Sequence, residues 1–203
     1  MTAISAAEAP PAPVIRPVNP ADYRPAMLNV GVIVWLASEL MFFSGLFAAF
    51  FALRAATPIW PPHGDTLDVT PVLIATLFLV ISSGTMQYAV KAAMKGDKVG
   101  FLGWIALTFA LGALFDGMQM SDWAGRPFPI DQNAYTSCFY VLTGFHALHV
   151  LGGLFGMVLM AIRVKKTKNF GHRTAPAVEM LSYYWHFVDV VWIVMFLSIF
   201  VLK

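Results

Sequence analysis

The last long apolar segment of the chain contains the sequence YYWHFVDVVW at residues 183–192. This sequence places a histidine, His186, and an aspartate, Asp189, inside a segment that runs from about residue 177 to residue 202 and is long enough to cross a bilayer. An aspartate that faces lipid at the centre of a bilayer costs about 2.5–3.5 kcal/mol. We therefore expect both side chains to have partners within protein.

The composition of the whole chain is that of a membrane protein. Of its 203 residues, 59% are hydrophobic and 12% are charged, whereas about 25% of the residues of a soluble domain are charged. The mean hydropathy is +0.70. The net charge of +2 is small and scattered, which gives no indication of nucleic-acid binding. Cys138 is the single cysteine, so this sequence has no intrachain disulfide and no cysteine-cluster metal site.

Five apolar segments predict an all-α integral membrane protein, a bundle of five transmembrane helices within residues 26–203. Prolines, glycines and charged residues separate the segments. Residues 1–25 are rich in alanine and proline and are predicted to form a disordered cytoplasmic tail. The predicted spans are roughly residues 27–54, 69–91, 99–119, 134–161 and 177–202.

The distribution of lysine and arginine predicts the orientation of the bundle. The tail and the two loops on its side of the membrane hold ten of these residues, whereas the opposite side holds only Arg54, Arg126 and Lys203. Cytoplasmic segments carry the excess of cationic residues. We therefore expect the N-terminus in the cytoplasm and the C-terminus outside.

Six polar side chains inside the spans are candidate functional residues, and three interpretations of them remain open. They could hydrogen-bond between helices or to a partner subunit, they could hold a metal ion or a haem, or they could relay protons or bind lipid headgroups. Spacing alone does not separate the first interpretation from the third. The candidates are Glu39, His146, His149, Glu179, His186 and Asp189.

Small and aromatic residues predict how the helices pack. Gly152 and Gly156 in the fourth span offer a strip for close helix approach. Trp185 and Trp192 lie seven residues apart in the fifth span and so share one helix face. We expect both indole rings to pack against protein.

Several sequence stretches, taken in order, resemble subunit III of the haem-copper oxygen reductases, the cytochrome c oxidase subunit III family. The longest are TGFHALHV at residues 143–150 and YWHFVDVVW at residues 184–192, which follows Glu179. One departure is Asp122, where the family usually has glutamate. The shorter stretches are SELMFF at residues 38–43, Trp60-Pro61-Pro62, SSGT at residues 82–85, and Gln119 with Trp123.

The resemblance implies a non-catalytic accessory subunit that flanks subunit I of a respiratory oxidase in a bacterial plasma membrane. Such a subunit holds no haem or copper itself, because its partner subunits I and II carry them. It binds phospholipid in a cleft between helices, and it supports proton uptake and stability during oxygen reduction. In the family, the position of Glu39 is a buried carboxylate. Assembly into a larger respiratory supercomplex stays open.

Three alternative functions remain at this point. The chain could be the same subunit of a quinol oxidase, or a helper subunit of nitric oxide reductase, since both resemble it in their pattern of spans. A small proton-coupled transporter would also use intramembrane carboxylates and histidines. The spans contain no proline beyond their first turns, which disfavours the broken helices typical of transporters.

Overall fold

The computed structural model describes residues 27–60, 69–126, 129–167, 170 and 174–202, with side chains from residue 29 onward. The prediction of five apolar helices is confirmed, because five helices are long and apolar enough to cross a membrane. The helices are α1 (Met27–Ala56), α2 (Val69–Met94), α3 (Lys98–Ala124), α4 (Ala134–Lys166) and α5 (Ala175–Phe196), the last continued by a π-helical turn (Leu197–Val201). The predicted tail at residues 1–25 lies outside the described residues.

Helices α2, α3 and α4 continue past the C-terminal ends of the predicted apolar spans, whereas their starts agree with the prediction to within one residue, where capping residues begin α3 and α4. The Asp97 side chain accepts a hydrogen bond from the Gly100 amide at 2.9 Å and begins α3. A reciprocal pair of hydrogen bonds between Asn133 and Thr136 begins α4. At the other end, polar last turns continue α3 and α4 past their apolar parts, to Ala124 and Lys166.

Helices α2 to α5 pack into a four-helix group, and α1 lies against its outside, mainly along α4 and α5. The antiparallel pair α2 and α3 has the most extensive contact. A tight turn at Gly96 joins them, with a positive φ of 73° that suits glycine. The other described residues leave most of the α1 surface uncovered.

Trp185 of α5 lies at the centre of the four-helix group and is fully buried. Its ring lies close to Gly112 of α3 and Gly153 of α4, where an added Cβ would come within 2.7 Å of ring carbons. Its Nε1 donates a hydrogen bond to Ser82 Oγ of α2 at 2.9 Å. One side chain of α5 therefore contacts all three of the other helices in the group.

Trp192, two turns further along α5, is also fully buried, so both tryptophans pack against protein as the sequence predicts. Its Nε1 donates to Thr76 Oγ1 of α2 at 2.9 Å. Its ring packs edge-on against Phe115 of α3, with centroids 4.8 Å apart. The two indole N–H groups thus pair with hydroxyls of one helix, which fixes the register of α5 against α2.

Candidate functional site: two polar clusters between helices

The first polar cluster joins α1 to α4 through Glu39 and His149, whose Oε2 and Nε2 atoms lie 3.1 Å apart. Both side chains are mostly buried, with 22% of Glu39 and 17% of His149 exposed. The His149 ring packs edge-on against Phe43, with centroids 5.0 Å apart. Tyr184 of α5 donates from its hydroxyl to the His149 backbone carbonyl at 2.8 Å. Three helices therefore meet at this pair.

The hydrogen bonds of His149 determine how the pair holds its protons. Nδ1 lies 2.7 Å from the Phe145 carbonyl oxygen. A carbonyl oxygen can only accept, so Nδ1 carries a hydrogen. The contact between Nε2 and Glu39 then contains one further proton, bound either to the imidazole or to the carboxyl group. In both arrangements the pair is neutral overall, which suits a position within a membrane.

The second polar cluster joins α2 to α5 and contains His186, Asp189, Ser83 and Gln87. The His186 Nδ1 atom lies 3.0 Å from Ser83 Oγ. The Ser83 hydroxyl donates to Asp189 Oδ2, and the Gln87 amide nitrogen contacts His186 Nε2. The two residues singled out from the sequence, His186 and Asp189, therefore share a partner on the neighbouring helix.

The hydrogen bonds of this second cluster run in one direction. A serine hydroxyl has one hydrogen, and Ser83 gives it to Asp189. Ser83 therefore accepts from His186 Nδ1–H, and His186 Nε2 accepts from the Gln87 amide. The series runs from the exposed Gln87 inward to Asp189, whose Oδ1 is buried and has no hydrogen-bond partner among the described residues. The series ends at that atom.

Two of the six candidates belong to neither cluster. His146 is almost completely buried, and neither of its ring nitrogens has a hydrogen-bond partner in the described part of the chain. Its ring packs against Trp192, with centroids 5.0 Å apart. Glu179 accepts a hydrogen bond at 2.8 Å from Tyr183, one turn further along α5. The six candidates therefore lie in two separate clusters and at two further positions.

Sequence reasoning missed Asp116, a carboxylate in the third span. Only 6% of Asp116 is exposed, and its Oδ1 is buried without a hydrogen-bond partner among the described residues. Gln119, one turn further along α3, is also buried, and its Nε2 atom is unpartnered within the same ranges. The signal was present in the sequence, because Asp116 stands in an apolar run just as Glu39 does.

Trp60 is the part of the Trp60-Pro61-Pro62 stretch that the structure describes. Its ring packs edge-on against Tyr135 at the start of α4, with centroids 5.1 Å apart, and against Phe50 near the end of α1 at 5.4 Å. Trp60 therefore ties the end of α1 to the beginning of α4. Pro61 and Pro62 lie outside the described residues.

The geometry of the two clusters does not fit a metal or haem site. Within the described ranges, no three histidine, cysteine, aspartate or glutamate side chains converge to hold a metal ion. Both ring nitrogens of His149 and both of His186 already make hydrogen-bonding contacts within the chain. The arrangement instead supports contact between helices.

Comparisons with known proteins all point to one family, and the match extends over nearly the whole chain. The family model described as cytochrome c oxidase subunit III matches residues 24–203. A probable cytochrome c oxidase subunit 3 of Nocardia farcinica is 45% identical over 184 residues, covering 89% of this chain and 90% of the relative. The chain belongs to the cytochrome c oxidase subunit III family.

More distant members of the subunit III family show the same extent of similarity. A probable cytochrome c oxidase subunit 3 of Mycobacterium tuberculosis is 43% identical, with 89% of this chain and 90% of the relative covered. The cytochrome c oxidase subunit 3 of Thermostichus vulcanus is 36% identical, with 91% and 92% covered. Both polar clusters lie within the segment that matches the subunit III family. Membership of this family makes the chain a membrane-embedded subunit of an oxygen reductase complex.

Proposed function

We propose that this chain is a non-catalytic accessory subunit of a bacterial aerobic cytochrome c oxidase, packed against subunit I, with haem and copper held by subunits I and II. The observation that carries the proposal is the family match over residues 24–203 to relatives of nearly the same length. The names of those relatives specify cytochrome c oxidase, which favours cytochrome c over quinol as the electron donor of the complex.

The two polar clusters support a structural role in the assembled complex. The Glu39–His149 pair joins α1 to the four-helix group, which covers little of the α1 surface. The cluster of Ser83, His186 and Asp189 holds α2 and α5 together within the membrane. Hydrogen bonds between helices stabilise packing where no water competes for them. The chain would therefore present rigid surfaces to its partners.

The Glu39–His149 pair also supports the proposed role in proton uptake. It is partly accessible, and it holds one proton between its two side chains. Within this pair the proton can move between the carboxyl group and the imidazole while the pair as a whole stays neutral. In the proposal it contributes to the proton supply of subunit I, while the chemistry of oxygen reduction takes place in that subunit.

Two grooves between α3 and α4 support phospholipid binding. One has a volume of about 330 Å³ and is lined mainly by apolar and aromatic side chains, Trp123 and Leu148 among them. The other has a volume of about 350 Å³ and is lined by apolar side chains, including Phe109 and Met157, together with Lys165. Acyl chains of the surrounding bilayer suit such surfaces, and Lys165 would face a lipid phosphate.

The proposed orientation places the turn between α2 and α3, and the start of α5, at the cytoplasmic face of the plasma membrane. Lys98 supports this placement, because its Nζ donates to the carbonyl oxygens of Lys165 and Thr167, each at 3.0 Å. The cationic ends of α2, α3 and α4 thus lie together on one side. An excess of cationic residues is typical of the cytoplasmic side.

Purification of the complex through a tag on the C-terminus of this chain tests the proposal. We expect oxidase subunits I and II to be recovered with the chain, and haem and copper to be recovered in proportion to subunit I. A chain that purifies without them from membranes containing the oxidase would overturn the proposal. Stoichiometric haem or copper in the chain after its separation from subunit I would overturn its non-catalytic part.

A further inference from the structure

The surface formed by α2 and α5 has an unusual property within the membrane, because it exposes groups that can form hydrogen bonds. Gln87 is exposed, and Ser83 and His186 are partly exposed beside it. The amide oxygen of Gln87 and its second N–H make no hydrogen bond within the described residues. An amide group without hydrogen-bond partners costs free energy in hydrocarbon, because no water is present there to bond to it.

The depth of these groups in the membrane follows from their distance along α2 to the turn at Gly96. Gln87 lies nine residues from Gly96, about 14 Å along α2, and Ser83 lies 13 residues from it, about 20 Å along the helix. The headgroup layer on each side of a bilayer is only about 5–7 Å thick. Both residues therefore lie within the hydrocarbon layer, where a lipid headgroup does not reach.

The exposed serines of α1 differ from Gln87 in this respect, although Glu39 on the same helix is also partly exposed. On α1, the exposed hydroxyls of Ser38 and Ser44 donate to carbonyl oxygens of their own helix, each at 2.7 Å. The two grooves between α3 and α4 are lined by apolar and aromatic side chains, apart from Lys165 near the end of α4. Lipid can cover Ser38 and Ser44 without loss of hydrogen bonds, whereas it cannot satisfy Gln87.

Gly84 lies on the same surface and, unlike the equally open Gly103 of α3, it stands beside these polar groups. It is exposed, it lies one turn before Gln87 and Tyr88 on α2, and an added Cβ would meet no atom within 4 Å. This chain therefore has no internal need for glycine there. Small residues on an exposed transmembrane helix let another helix approach closely. The polar groups and the glycine thus favour the same type of occupant.

We infer that the surface of α2 and α5 around Gly84, Gln87 and His186 binds a transmembrane helix of another oxidase subunit. That helix crosses close to Gly84 and presents a side chain that hydrogen-bonds to the Gln87 amide. The inference rests on the proposed function, since it requires the chain to assemble with other oxidase subunits. To the proposed function, the inference adds the surface that makes the contact and the hydrogen-bonding side chain that the partner helix supplies.

Matched glycine substitutions test the location of this contact. Gly84→Leu is compared with Gly103→Leu, because Gly103 is exposed on α3 and an added Cβ there also meets nothing within 4 Å. In purification through a C-terminal tag, we expect Gly84→Leu to lower the recovery of the other oxidase subunits on the order of tenfold, and Gly103→Leu to leave it unchanged. Gln87→Leu removes the proposed hydrogen bond to the partner helix together with the one to His186, and it should lower the recovery about threefold.

The outcomes separate the inference from the proposed function. If the unmodified chain recovers no oxidase subunit, the proposed function fails. If it recovers them and Gly84→Leu recovers as many, with equal amounts of chain in the membrane, the function stands and the assignment of the surface is wrong. A loss with Gly103→Leu alone would place the contact on α3 and would also overturn the inference.

Photo-crosslinking identifies the occupant directly. A Gly84→Cys, Cys138→Ser double variant in the intact complex is labelled with benzophenone maleimide, since Cys138 is the single cysteine of the chain. We expect an adduct that contains another oxidase subunit. An adduct of twice the mass of the chain would show that a second copy occupies the surface, and an adduct with lipid alone would show a lipid-facing surface. Either result would contradict the inference.

Discussion

Gly153→Ala should destabilise the protein through a single steric conflict with Trp185. The added Cβ would lie 2.7 Å from Cε3 and 2.8 Å from Cζ3 of the indole ring. Carbon atoms in normal contact are about 3.5–4.0 Å apart, so ring and helix would have to separate by about 1 Å. The ring is held in place, because Gly112 packs closely against it and Ser82 accepts its N–H.

The size of this effect is measured against Gly103→Ala, where the added methyl group meets no atom within 4 Å. Both substitutions raise helix propensity by the same amount, so their difference isolates the steric conflict. Overpacking of this kind costs about 1–3 kcal/mol. A change of 1 kcal/mol shifts the melting temperature of a chain of this length by about 2–4 °C. We therefore expect Gly153→Ala to melt about 2–12 °C below Gly103→Ala.

The assay is thermal unfolding of the purified complex in detergent, followed by intrinsic tryptophan fluorescence at one fixed heating rate. A fixed rate is needed because membrane complexes commonly unfold irreversibly, and the apparent melting temperature then depends on the rate. Equal melting temperatures for Gly153→Ala and Gly103→Ala would refute the packing of Trp185 between α3 and α4.

Two further predictions concern the polar clusters. Glu39→Gln keeps a hydrogen-bonding partner for His149 and should leave assembly and the initial rate of oxygen consumption largely unchanged, but it removes the group that shares a proton with His149, so activity should decline sooner during turnover. Glu39→Ala should in addition lower the melting temperature of the complex. Loss of all oxygen consumption in an assembled Glu39→Gln complex would show that this carboxylate has a catalytic role. His186→Leu removes two hydrogen-bonding contacts between α2 and α5, to Ser83 and to Gln87, each worth about 0.6–2 kcal/mol within a membrane. His146→Leu removes no hydrogen bond among the described residues. Thermal unfolding should therefore show a larger loss of stability for His186→Leu, and the reverse order would contradict the assignment of these two residues.

The number and type of the helices could be predicted from hydropathy and from the position of prolines, since a helix that crosses a bilayer needs a long apolar segment. The C-terminal ends of α3 and α4 could not, because their last turns contain polar residues such as Asp122 and Lys166 that hydropathy assigns to loops. Capping at Asp97 and Asn133 determines where α3 and α4 begin.

The partners of the candidate residues could be predicted only in part. The spacing of His186 and Asp189 places both on one face of a helix, but it does not reveal that Ser83 lies between them on α2. A serine in an apolar helix carries no signal of its own, because it often hydrogen-bonds to its own backbone, as Ser38 does. His146 and His149 look alike in sequence, yet one packs against aromatic rings and the other pairs with Glu39. That difference depends on which helices adjoin α4.

The measurement that tests the proposed function most directly is oxygen consumption by the oxidase with and without this chain. We expect the complex that lacks the chain to begin oxygen consumption at a rate close to that of the intact complex and then to lose activity during turnover. Added chain should restore the period over which oxygen consumption continues. Complexes that keep the same activity through many turnovers with or without the chain would contradict its role in proton uptake and stability. A complex without the chain that shows no initial oxygen consumption, although subunits I and II are assembled with haem and copper, would contradict its non-catalytic role.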